Sequence, residues 1–387
     1  MPYSIFFFKE VQKFIRFDRA KSAKLYYRDY SIDLLNNERS EDGILSYLSE
    51  LERRDFYQDS QYPRVSHLFY ELGYIINQLD HLVIASTPLA IIIEYGAWHE
   101  IKIQEDMPFI NSLETISELS LDSYCDKFNR VYSYLLDGDS YQVNLTHLFD
   151  YSMTNSSFEE TYKRIFSQVD QLSAYAHLTY LPSLNQGIIS NSPECLFQLS
   201  NSDELYTMPI KGTYVLKDQH QKKQAWERLS KDQKEQGELF MIIDLLRNDL
   251  ARISTPTARV VQKKASLVVP GLLHQYALIA LPKQEHVSEK DVIEAMFPGG
   301  SITGAPKMKT MEIIHDVEDA PRGIYCGSTW LQFRGINAAS INIRTAWLDI
   351  ASQELSYGAG GGVTLMSKVK SEYSELQRKR ESFLNLL

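Results

Sequence analysis

The stretch Glu204-Leu205-Tyr206-Thr207-Met208-Pro209-Ile210-Lys211-Gly212-Thr213 organises the rest of this sequence. It predicts a β-strand that breaks at a proline and turns at a glycine, and such a break exposes a side chain at the strand end. The side chain exposed here is Lys211. A lysine within an apolar segment is costly to bury, so it reaches solvent, pairs with an acid or serves as a nucleophile. The residues elsewhere in the chain decide between these roles.

Short apolar strands surround that stretch. Strands are predicted over 141–145, 174–180, 186–190, 195–199, 204–208, 272–281, 323–333, 338–349 and 353–358. Helices are predicted over 121–136, 158–171, 216–253 and 368–385, with another beginning near Ala305-Pro306. Antiparallel strands interspersed with helices indicate an α+β fold, with layered strands and helices outside.

The first third of the chain is less informative than the rest. Residues 1–120 mix short apolar runs with polar, helix-like stretches, and their pairing cannot be predicted from the pattern. An acidic, serine-containing segment at 111–123 has the composition of a surface connection. We therefore expect a boundary that separates an N-terminal region, 1–120, from a catalytic region, 121–387.

Composition narrows the class of function. The 387 residues carry a net charge of −10, which argues against a protein that binds nucleic acid through its phosphates. The three cysteines show no metal-ligand spacing, which is typical of reduced thiols in a cytosolic protein. Since no apolar run approaches about 18 residues, we expect no membrane span. Chemistry on a small molecule, without nucleic acid or membrane, fits best.

Two glycine-rich segments are candidates for ligand contact. The loop 297–307 (Phe-Pro-Gly-Gly-Ser-Ile-Thr-Gly-Ala-Pro-Lys) leads into a helix N-terminus, where free N–H groups suit a carboxylate or phosphate. An ordinary helix cap would explain it equally well. The segment 358–363 has four glycines in five residues, which indicates close approach of the backbone to a ligand or to another strand. A flexible hairpin is the alternative.

Several charged residues could bind a metal or take part in catalysis. Glu372, Glu375 and Lys379 share one helix face, and Glu238 precedes an apolar run, so carboxylates from two helices could hold Mg²⁺. Exposed ion pairs would also explain this spacing.

Glu194 and Arg344 are further candidates. Glu194, in a Ser-Pro-Glu turn, is either a general acid or base or a turn residue. Arg344 suits a substrate carboxylate or an acid of the protein itself.

Many ordered matches identify a family. From about residue 121 to its end, the chain resembles the chorismate-binding enzymes, which include anthranilate synthase component I, aminodeoxychorismate synthase component I and the isochorismate and salicylate synthases. The matching stretches are 141–146, 192–194, 209–213, 238–250, His274, 298–307, 322–327, 341–344, 358–361 and 372–375. The resemblance implies layered antiparallel sheets of the anthranilate synthase type, with the active site in the cleft between them.

The resemblance also implies roles for individual residues. Lys211 and Glu194 are the expected catalytic residues, and the expected Mg²⁺ ligands are Glu238, Glu372 and Glu375. The expected contacts to chorismate are Thr213, His274, Ser301, Thr303, Gly304, Ala305, Tyr325, Arg344, Gly360, Gly361 and Lys379. Leu239 and Ser374 depart from the family pattern beside the metal ligands.

Two positions indicate the branch of the family. Anthranilate synthases typically have alanine where this chain has Lys211, and isochorismate-forming members have a lysine where it has Gln142. Both features resemble the branch in which the lysine attacks ring carbon 2 and ammonia then adds at carbon 4, giving 4-amino-4-deoxychorismate for 4-aminobenzoate and folate. The alternatives are an anthranilate synthase component I and a non-catalytic chorismate-binding subunit.

The source of ammonia implies a partner. The sequence contains no glutaminase motif with a nucleophilic cysteine, so we expect a separate glutamine amidotransferase subunit in a heterodimer, with free ammonia as an alternative donor. A cytoplasmic location is expected.

Overall fold

We describe a computed structural model of the chain that covers residues 1–103, 112–154, 157–200, 203–216, 221–253, 258–269 and 272–387. The strands of its first half are β1 (Tyr3–Phe8), β2 (Lys13–Tyr26), β3 (Ser31–Asp33), β4 (Arg39–Ser40), β5 (Arg64–Leu68), β6 (Ala90–Ile101), β7 (Ser112–Thr115), β8 (Gln142–Thr154), β9 (Tyr175–Leu181) and β10 (Gln186–Ser192). Those of its second half are β11 (Cys195–Leu199), β12 (Leu205–Met208), β13 (Ile210–Val215), β14 (Arg259–Val269), β15 (Leu272–Leu281), β16 (Gly304–Ala305), β17 (Ser328–Phe333), β18 (Ile336–Ile341), β19 (Thr345–Asp349) and β20 (Glu354–Val363).

The helices accompany these strands along the chain. They are α1 (Ile44–Glu52), α2 (Leu72–Ile76), α3 (Leu121–Leu136), α4 (Phe158–Ser167), α5 (Lys222–Leu229), α6 (Gln233–Ala251), α7 (Glu289–Met296), α8 (Lys307–Val317) and α9 (Val369–Leu384). No helix in the described ranges is long and apolar enough to cross a membrane.

The strands form one long antiparallel sheet. Its strand order is β14, β15, β12, β11, β18, β17, β5, β6, β2, β1, β9, β10, β19, β20, β8, and every neighbouring pair is antiparallel. The short strands β7 and β16 also pair with β8, and β13 pairs with β15 beside β12. Among the described residues β14 pairs with none of β7, β8 and β16, so the sheet stays open. The α+β fold predicted from the sequence, with antiparallel layers and helices, is confirmed.

The two cores lie on opposite faces of this sheet. One contains Phe17, Val65 and Ile91 of the N-terminal strands, and the other contains Leu145, Phe149 and much of the helical surface. Because side chains alternate along a strand, neighbouring residues of β1, β6 and β10 belong to different cores, as Ile188 and Ile189 show.

Some predicted elements have different bounds in the structure. The helix predicted over 216–253 is two helices, α5 and α6, because Asp232 begins α6 as an N-cap whose side chain accepts the backbone N–H of Glu235. The strand predicted over 323–333 begins only at Ser328. The strand predicted over 353–358 runs on to Val363, through the glycine cluster. The close approach of β8 requires glycine at position 360, because a Cβ there would lie 2.4 Å from the carbonyl oxygen of Leu145.

The closing helix α9 packs against the outer face of this glycine strand. Phe383 stacks on Tyr357 with ring centroids 4.4 Å apart, and the Tyr357 hydroxyl donates to the backbone oxygen of Lys379 at 3.3 Å. These contacts fix which face of α9 meets β20. The polar residues of that face are therefore placed over the glycines.

Candidate active site

A β-bulge places Lys211 at the edge of the site. In the pairing of β13 with β15, Ile210 lies opposite Tyr276 and Thr213 lies opposite His274, so β13 carries one extra residue. Gly212 adopts a φ of +80°, and a Cβ there would lie 2.7 Å from Cδ1 of Leu229. The turn at glycine predicted from the sequence is therefore present. Lys211 is half-buried; only the backbone of Thr213 is described.

The carboxyl group of Glu194 lies close to Lys211 and to the Ile210 N–H. Its side chain is 5% exposed, and burial raises the pKa of its carboxyl group, against the opposing influence of the Ser301 hydroxyl, the Lys211 ammonium and the Ile210 N–H. Its Oε1 has no hydrogen-bond partner in the described part of the chain. A buried carboxyl with a raised pKa is suited to donate a proton near neutral pH.

The glycine-rich loop forms one wall. Thr303 is buried, and its hydroxyl donates to the carbonyl oxygen of Gly299 at 3.0 Å. Gly304 and Ala305 form β16 on β8, and a Cβ on Gly304 (φ +146°) would lie 1.9 Å from the backbone oxygen of Gln142. Only glycine fits at this position. The helix α8 begins at Lys307, one residue later than predicted, so Pro306 is its N-cap.

A buried ion pair fixes this loop to α6. Nζ of Lys307 lies 2.9 Å from Oδ2 of Asp249, and both side chains are less than a tenth exposed. The pair explains why a lysine ends the loop motif. It also links the loop to the helix that carries Glu238.

The polar face of α9 assembles as the spacing predicts. A Cβ on Gly361 would lie 3.7 Å from Oε1 of Glu375, 3.7 Å from Nζ of Lys379 and 3.8 Å from Oε2 of Glu372. Lys379 also donates to the Gly360 carbonyl oxygen at 2.9 Å and pairs with Oε1 of Glu375 at 2.9 Å. Two carboxylates and one ammonium group therefore surround the space in front of Gly361.

Two of the three predicted metal ligands, Glu372 and Glu375, are placed so that they could bind one divalent cation. Mg²⁺ in proteins is usually held by one or two carboxylates together with water and substrate oxygens, which suits the Glu372 and Glu375 pair. Glu238, on α6, is half-buried. Within the described ranges, no three acidic, histidine or cysteine side chains are close enough to form a metal site by themselves. The three predicted ligands are thus not joined in one cluster.

Arg344 is available for an anionic ligand. It lies between β18 and β19 with a φ of +50°, and no acidic side chain of the described chain pairs with it. Burial lowers the pKa of its guanidinium group. Of the two roles that the sequence allowed, a carboxylate supplied by a ligand fits better than an acid of the protein itself.

His274 and Tyr325 lie in the same region. Burial, together with the nearby Arg344, lowers the pKa of His274 to about 4, so its imidazole is neutral at physiological pH. The ring of Tyr325 packs on Gly358, where a Cβ would lie 2.2 Å from ring atom Cδ1. Glycine at 358 therefore makes room for the tyrosine.

The sequence analysis missed a charged network behind these residues. Arg322 donates to the carbonyl oxygens of Ile302 at 2.7 Å and Asn144 at 2.6 Å, and pairs with Glu318 at 2.7 Å. Glu71 accepts the backbone N–H of Arg322 at 2.8 Å, and burial raises the pKa of this carboxyl to about 7. The only local signal was the four-residue spacing of Glu318 and Arg322.

Gln142 is a second residue whose placement the sequence did not reveal. It is fully buried, and neither atom of its side-chain amide has a hydrogen-bond partner within the described chain. Its Nε2 lies 2.9 Å from the position of a Cβ on Gly362. Unpaired buried amides are costly, which suggests a ligand at this point.

A cavity of about 580 Å³ lies elsewhere. It is lined by apolar side chains such as Phe69, Ile91 and Trp347 and shares Tyr325 with the candidate site, but Lys211, Glu194 and the α9 glutamates do not line it. This cavity is therefore distinct from the space around Lys211, Glu194 and the α9 glutamates.

Comparison with curated proteins gives relatives in two branches. The chain is 35% identical over 289 residues to "Aminodeoxychorismate synthase component 1" of Escherichia coli (strain K12), covering 73% of this chain and 61% of the relative. It is 31% identical to the protein of that name from Bacillus subtilis (strain 168), covering 67% and 54%. "Anthranilate synthase component 1 3" of Haloarcula marismortui is 30% identical, with 74% and 56% covered. The chain thus spans 54 to 61% of the length of these relatives.

Solved structures and a family model agree on the fold. Anthranilate synthase component I from Streptococcus pneumoniae TIGR4 superposes with a TM-score of 0.77 at 20% identity, over 95% of this chain and 91% of that one. The menaquinone-specific isochorismate synthase of Escherichia coli gives a TM-score of 0.73 at 14% identity, over 100% and 89%. The model of the chorismate binding enzymes matches residues 86–385. The chain is a member of the chorismate binding enzyme family.

Proposed function

We propose that this chain is the chorismate-converting component of an aminodeoxychorismate synthase, which forms 4-amino-4-deoxychorismate from chorismate and ammonia. The observation that carries the proposal is the placement of Lys211 beside the buried carboxyl of Glu194. The names of the aminodeoxychorismate synthase relatives support the same branch.

The site has groups for each part of the substrate. Chorismate carries two carboxylates, and the guanidinium of Arg344, the Tyr325 hydroxyl and the Lys379 ammonium are suited to bind them. Glu372 and Glu375, with Glu238 from α6, would hold Mg²⁺, which fixes a substrate carboxylate and neutralises its charge when bound. The neutral imidazole of His274 adds no charge to this arrangement.

Lys211 and Glu194 would carry the covalent chemistry. Nζ of Lys211, as the neutral amine, bonds to ring carbon 2, both ring double bonds shift by one position, and the bond from carbon 4 to its hydroxyl breaks; the Glu194 proton leaves with that hydroxyl as water. Ammonia then bonds to carbon 4, both double bonds shift back, and the bond to Lys211 breaks. Glu194 takes up the proton released by the ammonia nitrogen. The overall reaction converts chorismate and ammonia into 4-amino-4-deoxychorismate and water.

Ammonia would come from a glutamine amidotransferase subunit in a heterodimer. The words "component 1" in the relatives' names imply a second component. We place the reaction in the cytoplasm, in the formation of 4-aminobenzoate for folate. Glutamine should support turnover only when that subunit is present, whereas ammonium salts should support it without the subunit.

The test is product identification by mass spectrometry. The purified chain is incubated with chorismate, Mg²⁺ and an ammonium salt at mildly alkaline pH. A product in which an amino group replaces the hydroxyl and the enolpyruvyl group is retained supports the proposal. Anthranilate with pyruvate would instead favour the second candidate, anthranilate synthase component I. The name of the Haloarcula marismortui relative supports this candidate. Absence of any chorismate turnover would favour a non-catalytic subunit.

Lys211→Ala tests the covalent step. The variant should lose amination at carbon 4, and the adduct mass should disappear from protein spectra recorded during turnover. Lys13→Ala, which removes an exposed lysine paired with Glu100, is the matched control and should behave like the unmodified chain. Unchanged 4-amino-4-deoxychorismate formation by Lys211→Ala would rule out the covalent route.

A further inference from the structure

Two glutamine side chains form a hydrogen-bonded pair between α6 and β15. Nε2 of Gln236, on α6, donates to Oε1 of Gln275, on β15, at 2.7 Å, and also to the carbonyl oxygen of Leu229 at 3.2 Å. Gln275 is fully buried. We call these two glutamines the amide pair. It joins the helix that carries Glu238 to the strand against which β13 is aligned.

Gln275 lies at the position of β15 that faces the bulge. The register of β13 on β15 leaves it as the single residue opposite two residues, Lys211 and Gly212. A bulge bends its strand and re-aims the side chains there. Without the extra residue, the strand would slip by one position, which carries a side chain to the other face of the sheet. The amide pair is therefore attached where the direction of Lys211 is decided.

Other contacts hold the bulge to the same elements. A Cβ on Gly212 would lie 2.7 Å from Cδ1 of Leu229 and 2.9 Å from Oε2 of Glu235. Glu235 directly precedes Gln236 of the amide pair. Before the bulge, the backbone N–H of Ala277 donates to the carbonyl oxygen of Pro209 at 3.2 Å. Since α6 contacts both β13 and β15, the bulge lies within one connected set of contacts.

The amide pair is only half satisfied. Within the described ranges, Oε1 of Gln236 and Nε2 of Gln275 have no hydrogen-bond partner. Buried polar atoms without partners lower stability, and two apolar side chains of the same shape would avoid this cost. In other proteins, buried polar groups that cost stability fix the register of packed elements. A role in register explains why amides lie here.

We propose that Gln236 and Gln275 are positioning residues, which hold β13 in its bulged register and thereby aim Lys211 at the substrate. The inference rests on the proposed function, in which Nζ of Lys211 attacks the ring. Both glutamines act through Lys211 and do not touch the substrate. Misplacing a reacting group by about 1 Å costs on the order of 100-fold in rate. Because the groups proposed to bind chorismate lie on other elements, kcat should depend on the amide pair and KM should not.

A double variant, Gln236→Met with Gln275→Met, removes the amide pair and keeps its shape. With chorismate, Mg²⁺ and an ammonium salt, kcat for the aminated product should fall roughly 10- to 100-fold while KM for chorismate stays the same. The rate at which the Lys211 adduct mass appears should fall by the same factor. The melting temperature should be unchanged or higher, because both unpaired atoms are gone.

A second amide pair provides the matched control. Nε2 of Gln171 donates to Oε1 of Gln168 at 2.9 Å, in an exposed position after α4. Gln168→Met with Gln171→Met should leave kcat unchanged. Hydrogen exchange of the backbone amides of residues 210–215 reports on the register itself. It should be faster in the Gln236 and Gln275 double variant than in the unmodified chain, and not faster in the control.

The outcomes separate the two proposals. If the unmodified chain forms no aminated product with ammonium salts, the proposed function fails, and hydrogen exchange still decides the role in register: unchanged exchange in the double variant overturns it. If the aminated product forms, an unchanged kcat in the double variant overturns only the positioning role. A kcat that falls together with the melting temperature, with unchanged exchange of 210–215, would also overturn it, because the pair would then act on folding alone.

Discussion

The ammonium group of Lys379 donates a 2.9 Å hydrogen bond to the carbonyl oxygen of Gly360. This contact joins α9 to the glycine strand β20, and the same ammonium group pairs with Glu375 at 2.9 Å. The neighbouring Gly361 leaves this side of the strand open, since a Cβ there would lie 3.7 Å from Nζ of Lys379. The glycine cluster therefore gives the charged face of α9 direct access to the strand.

Gly361 provides a test of this arrangement. A Cβ there meets only ordinary contacts, at 3.7 to 3.8 Å, but it points into the space between Glu372, Glu375 and Lys379. We expect Gly361→Ala to keep or slightly raise the melting temperature, since the substitution lowers the entropy of the unfolded chain. The same variant should raise KM for chorismate roughly tenfold, because it occupies space that the ligand needs.

Gly360→Ala is the matched comparison for that variant. Its Cβ would lie 2.4 Å from the Leu145 carbonyl oxygen, so it should lower the melting temperature. A Gly361→Ala enzyme with unchanged KM would show that chorismate does not bind over this glycine.

Glu194→Gln should separate stability from activity. Burial raises the pKa of Glu194 in the folded chain. A carboxyl with a raised pKa contributes stability that is fully present below its ordinary pKa and is lost as pH rises through the raised value. Glutamine does not ionise, so the variant should gain stability relative to the unmodified chain at pH 8 but not at pH 4.

Activity should change in the opposite direction. We expect chorismate turnover by Glu194→Gln to fall roughly 10²- to 10⁴-fold, the usual contribution of a general acid or base. Urea unfolding at both pH values and a rate assay provide the measurements. Equal stability differences at pH 4 and pH 8 would contradict the assignment of a buried ionisable carboxyl at this position.

The local geometry around Lys211 and on α9 was easier to predict from the sequence than the long-range contacts that hold it in place. Lys211 and Gly212 lie in a local break, and Glu372 and Glu375 follow helical spacing, so short-range patterns are sufficient for them. The contact of Glu71 with Arg322 joins residues 251 positions apart, and no local pattern encodes such a pairing.

The division of residues 216–253 into two helices was missed for another reason. Residues 230–238 have no apolar side chain whose spacing could mark a boundary, and the capping hydrogen bond of Asp232 with the Glu235 N–H marks the new start. The long glycine strand depends likewise on the close approach of β8, which the sequence of β20 alone does not show.

Arg322 should prove to be a positioning residue. It connects the glycine-rich loop at Ile302 with β8 at Asn144, and its partner Glu318 is 7% exposed. We expect Arg322→Met to lose about 3 to 5 kcal/mol of unfolding free energy, because the buried carboxylate of Glu318 loses its cationic partner and keeps only the hydrogen bonds from Thr146. Adding Glu318→Gln should restore part of this stability.

The kinetics distinguish positioning from stability alone. If Arg322 orients the loop, the double variant should recover stability while kcat stays low, because the hydrogen bonds to the loop and to β8 are still missing. Full recovery of kcat together with stability would show that Arg322 acts only on folding. Urea unfolding of the single and double variants, alongside steady-state kinetics, measures both effects.

Buried histidines should make the fold sensitive to acid. Burial lowers the pKa of His177 to about 4 and that of His67 well below its usual value. A histidine whose pKa is lowered on folding contributes stability that is present above about pH 6.5 and is lost as pH falls towards 4.

His177→Phe tests this directly. Phenylalanine can keep the stacking on Phe6, whose ring centroid lies 5.1 Å from that of His177. Unfolding free energy between pH 7 and pH 4 should fall less steeply in the variant than in the unmodified chain, by on the order of 3 kcal/mol across the range. Parallel curves would mean that His177 is protonated equally in both states.

The carboxylates of α9 should set the requirement for Mg²⁺. Glu372 is 4% exposed, and Oε2 of Glu372 and Oε1 of Glu375 face the same space over Gly361.

Removal of divalent cations with a chelator should abolish chorismate turnover, and added Mg²⁺ should restore it. Glu375→Gln should raise the Mg²⁺ concentration for half-maximal turnover by roughly tenfold or more, since it removes an anionic oxygen donor. Glu381→Gln, which changes an exposed residue of the same helix, should leave the Mg²⁺ titration unchanged. Full turnover after chelation would show that Lys379 and Arg344 neutralise the substrate carboxylates without a metal.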